Sequence, residues 1–284
     1  MAKAKLISLW SAPGSPGRTT LACSIAAELV ESGKRVLLID TDTQAPSIDV
    51  MLGLNDHPAG IAAAFRLVNQ QRFDLEQLQR LSVVLELSGE VLTVMTGLSS
   101  SSRWPELNSD AMAGLIQTAS EDFDFILLDL APGIEAQLRA PHSMVERNEI
   151  TRWSLQNSNL VIAVCGADPV SVARHLDAMS SLTDLQPVGE VLTLVNRLRS
   201  SVLGNSAKTQ IAETLARLGQ LEVAGFIPDD PAAADAATKA SLPLALGKRS
   251  SQARLAISLF TKSRILGERN KLDKRLAKSV AKLG

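Results

Sequence analysis

Lys5-Leu6-Ile7-Ser8-Leu9-Trp10-Ser11-Ala12-Pro13-Gly14-Ser15-Pro16-Gly17-Arg18-Thr19-Thr20 is the stretch from which the fold can be read. Lys5–Trp10 is a short apolar run of the kind that forms a buried strand. A helical pattern follows over Thr20–Ser32, with apolar positions at Leu21, Ile25, Leu29 and Val30, and Gly33 provides its stop. Strand, Gly/Pro loop and helix in that order is the setting a phosphate-binding loop requires. Backbone N–H groups of a small-residue loop and the free N–H groups of a helix start converge on one spot, where the helix dipole favours an anion. Gly14 and Gly17 allow close backbone approach, a cation beside Gly17 reaches outer phosphates, and the Thr19 hydroxyl is placed to ligate magnesium. The pattern G-x-x-x-x-G-K-[ST] is met imperfectly, because Ala12 stands for the first Gly and Arg18 for the Lys. The other reading of the same residues is an ordinary strand-to-helix turn.

Outward from this loop, short Val/Ile/Leu runs alternate with helical patterns. Strands are predicted at Arg35–Ile39, Val91–Met95, Phe123–Leu128, Asn159–Cys165, Val188–Val195 and Val223–Ile227. Helices are predicted at Leu107–Ser120, Val170–Leu182 and Ala207–Leu218, and Ser99–Ser102 reads as a surface loop. Continuous rather than alternating apolar runs mean strands covered on both faces, so the fold class is α/β with a mostly parallel sheet between helical layers. Two of the strands run into carboxylates, in VLLIDTDTQ (residues 36–44) and FDFILLDLAPG (residues 123–133). Strand C-termini of a parallel sheet share one edge, where ligands bind. Asp40, Asp42 and Asp129 therefore converge with Thr19, and carboxylates beside substrate phosphates are the usual partners of magnesium. The alternative for any one of them is a helix cap or a turn residue.

Composition narrows the class. The chain has 284 residues, 45% hydrophobic and 21% charged, which is too apolar and too near neutrality for a disordered chain. A net charge of -1 excludes a uniformly basic nucleic-acid coat, and 3% aromatics make base stacking an improbable main activity. Cys23 and Cys165 lie in apolar runs and suit a reducing cytoplasm. No opening stretch reads as a signal peptide, and no run nears the roughly 20 apolar residues of a membrane span. His57, His142 and His175 have no ligand spacing, and Trp10, Trp104 and Trp153 read as packing residues.

Five motifs in order resemble the ParA/MinD (deviant Walker A) family of P-loop ATPases over residues 3–266. They are Pro13-Gly14-Ser15-Pro16-Gly17-Arg18-Thr19-Thr20, Asp40-Thr41-Asp42-Thr43-Gln44, Asp129-Leu130-Ala131-Pro132-Gly133, Asn196-Arg197 and Gly225-Phe226-Ile227-Pro228-Asp229. The drifted loop is most similar to the CpaE/TadZ or septum-site-determining branch. The resemblance implies a three-layer P-loop fold that binds ATP or ADP with Mg2+. Thr19 would ligate the ion, with Asp40 and Asp129 around its water shell. Gly14, Ser15, Pro16, Gly17, Arg18, Thr19 and Thr20 would hold phosphate, and Asp42 would position the attacking water. Asn196 and Arg197 would meet the adenine, while Pro228 and Asp229 flank base and ribose. It also implies a homodimer with nucleotides between subunits, a protein partner in a positioning or assembly system, and a cytoplasmic place, peripheral at membrane or nucleoid.

Two departures bear on catalysis. The lysine that contacts the partner's nucleotide in the family is Pro13 here, and the P-loop lysine is Arg18, which is bulkier and not interchangeable with it. Binding with weak or absent hydrolysis is the expectation; a slow true ATPase and an interaction scaffold without nucleotide are the alternatives. Arg103, Arg139, Arg152 and Arg197 are candidate compensating cations. Residues 239–284 carry a net charge of +10 against -1 overall, leaving -11 on the rest. Residues 1–266 read as the nucleotide-binding domain and 267–284 as a basic tail with Leu272, Leu276, Val280 and Leu283 on one stripe. That tail suits non-specific DNA, an anionic membrane, a protein partner or plain solvation.

Overall fold

A computed structural model describes residues 4–14, 16–54, 56, 59–135, 146–199 and 206–268. Ser15, His57, Arg139, His142 and the tail stripe from Leu272 to Leu283 lie outside the described residues. The strands are β1 (Lys5–Trp10), β2 (Val36–Thr41), β3 (Val83–Leu87), β4 (Glu90–Met95), β5 (Phe125–Leu130), β6 (Leu160–Gly166), β7 (Glu190–Leu198) and β8 (Val223–Pro228). They form one sheet in the order β3-β4-β2-β5-β1-β6-β7-β8, parallel except for the β3–β4 hairpin. The three-layer P-loop arrangement expected from the sequence is therefore the one observed.

The helices are α1 (Arg18–Glu31), α2 (Ile48–Met51), α3 (Gly60–Asn69), α4 (Leu75–Leu81), α5 (Ser109–Ala119), α6 (Glu149–Asn157), α7 (Pro169–Asp184), α8 (Ala207–Gly219), α9 (Pro231–Ala240) and α10 (Gln252–Phe260). Period-2 alternation divides the strand side chains between two cores. Ile7, Leu9, Val36, Leu38 and Leu127 face α1 and α10, whereas Leu6, Trp10, Leu37, Ile39, Ile126 and Leu128 face α3, α5 and α6. Both faces are buried, which is why the runs read as continuous. Helix α1 is buried without a break from Leu21 to Val30, between the sheet and α10.

Several elements escaped the sequence reading. β3 is a half-buried edge strand that was not predicted, and neither were α2, α3, α4, α6, α9 and α10. The serine run read as a loop continues into a 3-10 turn, Ser101–Glu106, that Ser100 caps through its hydroxyl. The predicted ends of β1 and β4 coincide with the observed ones, whereas those of β2, β5, β6, β7 and β8 fall one to three residues short because the chain stays extended past the apolar run, as at Asp129 and Leu130 in β5.

Candidate nucleotide-binding site

β1 lies between β5 and β6, and the loop after it crosses their C-terminal edge. Asp40 and Asp129 are register partners on adjacent parallel strands. They share alternation parity with Val36, Leu38 and Leu127, so both carboxylates point to the α1 face, under the loop. Asp42, two residues past Asp40, follows the same direction. All three are buried.

Gly17 caps α1 in the left-handed region at φ 90°, and a Cβ there would stand 2.6 Å from the Asn196 amide nitrogen. Conformation and space both demand glycine. That amide donates to the Pro16 carbonyl at 2.7 Å and ties the loop to β7. A bulge at the end of β7 leaves Arg197 at φ 56° and turns its side chain toward the cleft. The cleft has a volume of about 460 Å³ and is lined by the loop, Asp42, Gln44, Ser47, Pro132 and Arg197. The fully buried Trp10 ring packs in the core on the other face of the sheet and reaches the cleft lining through one bond, its Nε1 donating to the Pro132 carbonyl at 3.0 Å.

Arg18 does not turn toward the loop amides. Its Nε donates to Asp129 Oδ1 at 2.8 Å, its Nη2 to Asp42 Oδ2 at 2.5 Å and its Nη1 to Ser11 Oγ at 3.4 Å. Thr19 Oγ1 donates to Asp129 Oδ2 at 2.6 Å. Asp42 Oδ1 accepts from the Gln44 and Ala45 amides, and Asp40 accepts from the amides of Asp42, Ser47 and Ile48. Burial opposes the charge of Arg18, but the Asp129 and Asp42 carboxylates outweigh it and hold its pKa above the ordinary value. Burial pushes Asp40 up to about 8, with the Asp129 charge adding to the effect against the three amide donors. Asp129 is raised as well, by burial, against the pull of Arg18 and Thr19.

Every oxygen of the three carboxylates thus has a donor, and a positive charge already bridges two of them. The residues to which the resemblance gives magnesium, Thr19, Asp40 and Asp129, do not fit a divalent ion as arranged.

The structure therefore brings Gly14, Gly17, Arg18, Thr19, Thr20 and Asp42 to one cleft, with Asp40 and Asp129 behind it. Pro16 and Asn196 brace the loop. Pro228 ends β8 and Asp229 follows it, its amide donating to the Leu198 carbonyl, and neither residue lines the cleft. Arg103 and Arg152 pair with Glu106 and Glu146 rather than with the cleft. Sequence reasoning missed Arg174 on α7, whose Nη1 donates to the Pro13 carbonyl at 3.4 Å and stands 3.0 Å from where a Gly14 Cβ would be. Nothing local marks it, since only the docking of α7 brings it there. Ser47, whose hydroxyl meets Thr19 Oγ1 at 3.4 Å, was missed too.

Residues 7–244 match the model of the CobQ/CobB/MinD/ParA nucleotide binding domain. The chain is 25% identical over 227 residues to the septum site-determining protein MinD of Synechocystis sp., covering 80% of this chain and 76% of that one. The Helicobacter pylori MinD is 27% identical over 231 residues, covering 79% and 78%. Among solved structures, a ParA family ATPase from Chlorobium tepidum TLS superposes with a TM-score of 0.75 at 17% identity, covering 91% of this chain and 98% of that one. The MinD of Pyrococcus horikoshii OT3 complexed with Mg-ADP gives 0.69 at 17% identity, covering 94% and 99%. Fold, strand-end carboxylates, loop and matched domain agree: the chain belongs to the ParA/MinD family of P-loop ATPases.

Proposed function

We propose that this chain is an adenine-nucleotide-binding positioning switch in which ATP or ADP governs dimerisation and hydrolysis is weak or absent. The observation that carries the reading is the loop itself. Gly17 holds the start of α1 open to a cleft at the C-terminal edge of the sheet. The first turn of α1 has no acidic residue to compete for its N–H groups, so the helix start is free for phosphate. Arg197 lines the same cleft and has no carboxylate partner among the described residues, and Arg174 stands at the loop's outer side. These two guanidiniums supply the charge that Pro13 lacks and that Arg18 directs elsewhere.

Weak turnover follows from where the charges point. Phosphoryl transfer depends on positioned cations and an oriented nucleophile, and one arginine alone is worth about 10³–10⁵ in rate. Here Arg18 faces carboxylates, and Asp42, the expected water-positioning group, is already bonded to Arg18 and to two backbone amides. Magnesium accompanies ADP in the Pyrococcus relative; in this chain Thr19, Asp40 and Asp129 are engaged with other partners. A homodimer joined across the cleft face and a protein partner in a positioning system complete the proposal.

Calorimetric titration with ATP and with ADP tests the binding, and single-turnover hydrolysis tests the chemistry. We expect saturable binding of both nucleotides and no cleavage above the buffer rate. A chain that takes up neither nucleotide is a scaffold, and the proposal fails. Cleavage that disappears in Asp42→Ala would make it a slow ATPase instead.

A further inference from the structure

We propose that Arg18 is the resident cation of the acidic pocket, taking the place of a divalent metal ion, so that this chain binds adenine nucleotide without magnesium. The proposal rests on the nucleotide-binding reading above and adds how that site is charged.

The argument starts from what a metal would need. A divalent ion at Thr19 and Asp129 requires lone pairs facing it and no competing positive charge. Asp129 gives one oxygen to Arg18 and the other to Thr19, and Asp42 gives one oxygen to Arg18 and the other to two amides. The guanidinium suits this place for geometric reasons. Nε and Nη2 lie on one planar fork and reach different carboxylates, so a single side chain bridges two acids on different strand ends. An ammonium on a single stem is a point charge without that fork. Burial reinforces the assignment: the side chains of Asp129 and Asp42 are 0% and 2% exposed, and Arg18 is 11% exposed. Removing one partner from a buried ion pair leaves an uncompensated charge, so any ion that displaced Arg18 would have to replace all of its bonds at once.

The family pattern has a lysine beside the last glycine of the loop, and here the substitution does more than preserve charge. Arg18 reaches back to the sheet, and the loop amides keep the phosphate site. The Pyrococcus MinD holds ADP together with magnesium; in this chain phosphate binding and metal binding become separable.

The test has two arms on the full-length protein. In the first, Mn2+ is titrated without nucleotide and the free ion is read by electron paramagnetic resonance. Wild type is expected to take up no Mn2+ at this site, and Arg18→Ala to take up one equivalent. In the second, ADP binding is measured in EDTA and in excess MgCl2. Wild-type affinity is expected to differ by less than about threefold, and Arg18→Ala to gain at least about tenfold with magnesium. Arg18→Lys restores the lysine of the family pattern without the bridging fork and should also gain a magnesium response; it carries the test if Arg18→Ala does not fold. A wild-type chain whose ADP affinity rises tenfold or more with magnesium, or that binds Mn2+ as Arg18→Ala does, overturns the proposal. If ADP binds in neither buffer, the nucleotide reading falls. Mn2+ refused by wild type and admitted by Arg18→Ala would still establish the guanidinium as the pocket's cation.

Discussion

Gly17 and His175 show how much one position can decide. A methyl group on Gly17 meets the Asn196 amide at 2.6 Å while the backbone sits at φ 90°, so Gly17→Ala strains both loop and brace. The expected cost is roughly 1–3 kcal/mol, read from the urea midpoint, together with loss of nucleotide binding. His175 on α7 is buried with Nδ1 unpartnered among the described residues and Nε2 at 3.2 Å from Thr193 Oγ1, and burial lowers its pKa to about 4. Above its unfolded value near 6.5 the imidazole is neutral in both states. As pH falls from there toward 4, only the unfolded chain takes the proton, so stability drops by on the order of 3 kcal/mol. Asp40, pushed up to about 8, works in the opposite sense, losing stability as pH rises from about 4 to 8. Denaturation curves of wild type and His175→Gln across this range isolate the imidazole, and a parallel pair of curves would remove it as the cause. At this scale the motif residues could be read in sequence because each sits at a strand end or a helix start. Arg174 could not, because α7 docks more than a hundred residues after the loop it touches, and the direction taken by Arg18 depends on two acids from separate strands.

At the scale of elements, burial decided what was readable. β1, β2, β5 and β6 are covered on both faces and so present unbroken apolar runs. β3, half exposed at the sheet edge, mixes Glu86 with valines and gives no such run. The unpredicted α9 did carry local signals, with Asp230 capping the Ala233 amide and Pro231 at the first helical position. Its Ala-rich body, with only Ala233 buried, offered no apolar stripe to confirm them. Helix α1 has the opposite character, buried along ten consecutive residues, so its packing and the position of the loop are one problem. Truncating Leu29, which is 0% exposed, is expected to cost about 2–5 kcal/mol by Leu→Ala, seen as a lowered unfolding midpoint with unchanged slope. Nucleotide affinity should fall with it, because α1 carries Arg18 and Thr19; an unchanged affinity would show that the loop holds its shape without the helix behind it.

Over the whole molecule, strand order brings the chemistry together. The crossover from β1 to β2 passes over the place later taken by β5, so acids from two distant parts of the chain stand side by side below one loop. Among the described residues no helix is long and apolar enough to cross a membrane. Charge is divided too, with +10 over residues 239–284 against -11 elsewhere. Any anionic surface that this region meets should be released by salt, with affinity for DNA or for anionic vesicles falling linearly on a log–log plot. Binding that ignores salt would assign the region to another role. Light scattering with and without ATP tests the proposed dimer, which should form only with nucleotide. The Trp10 indole gives a further view of the cleft, through Pro132 in its lining. It is one of only three tryptophans, wholly shielded from water, and its N–H is fastened to Pro132 beside the strand-end acids. Its emission should be blue and resistant to acrylamide quenching. Any ligand that shifts Pro132 should change that colour, giving the protein an intrinsic optical gauge of occupancy that needs no attached dye.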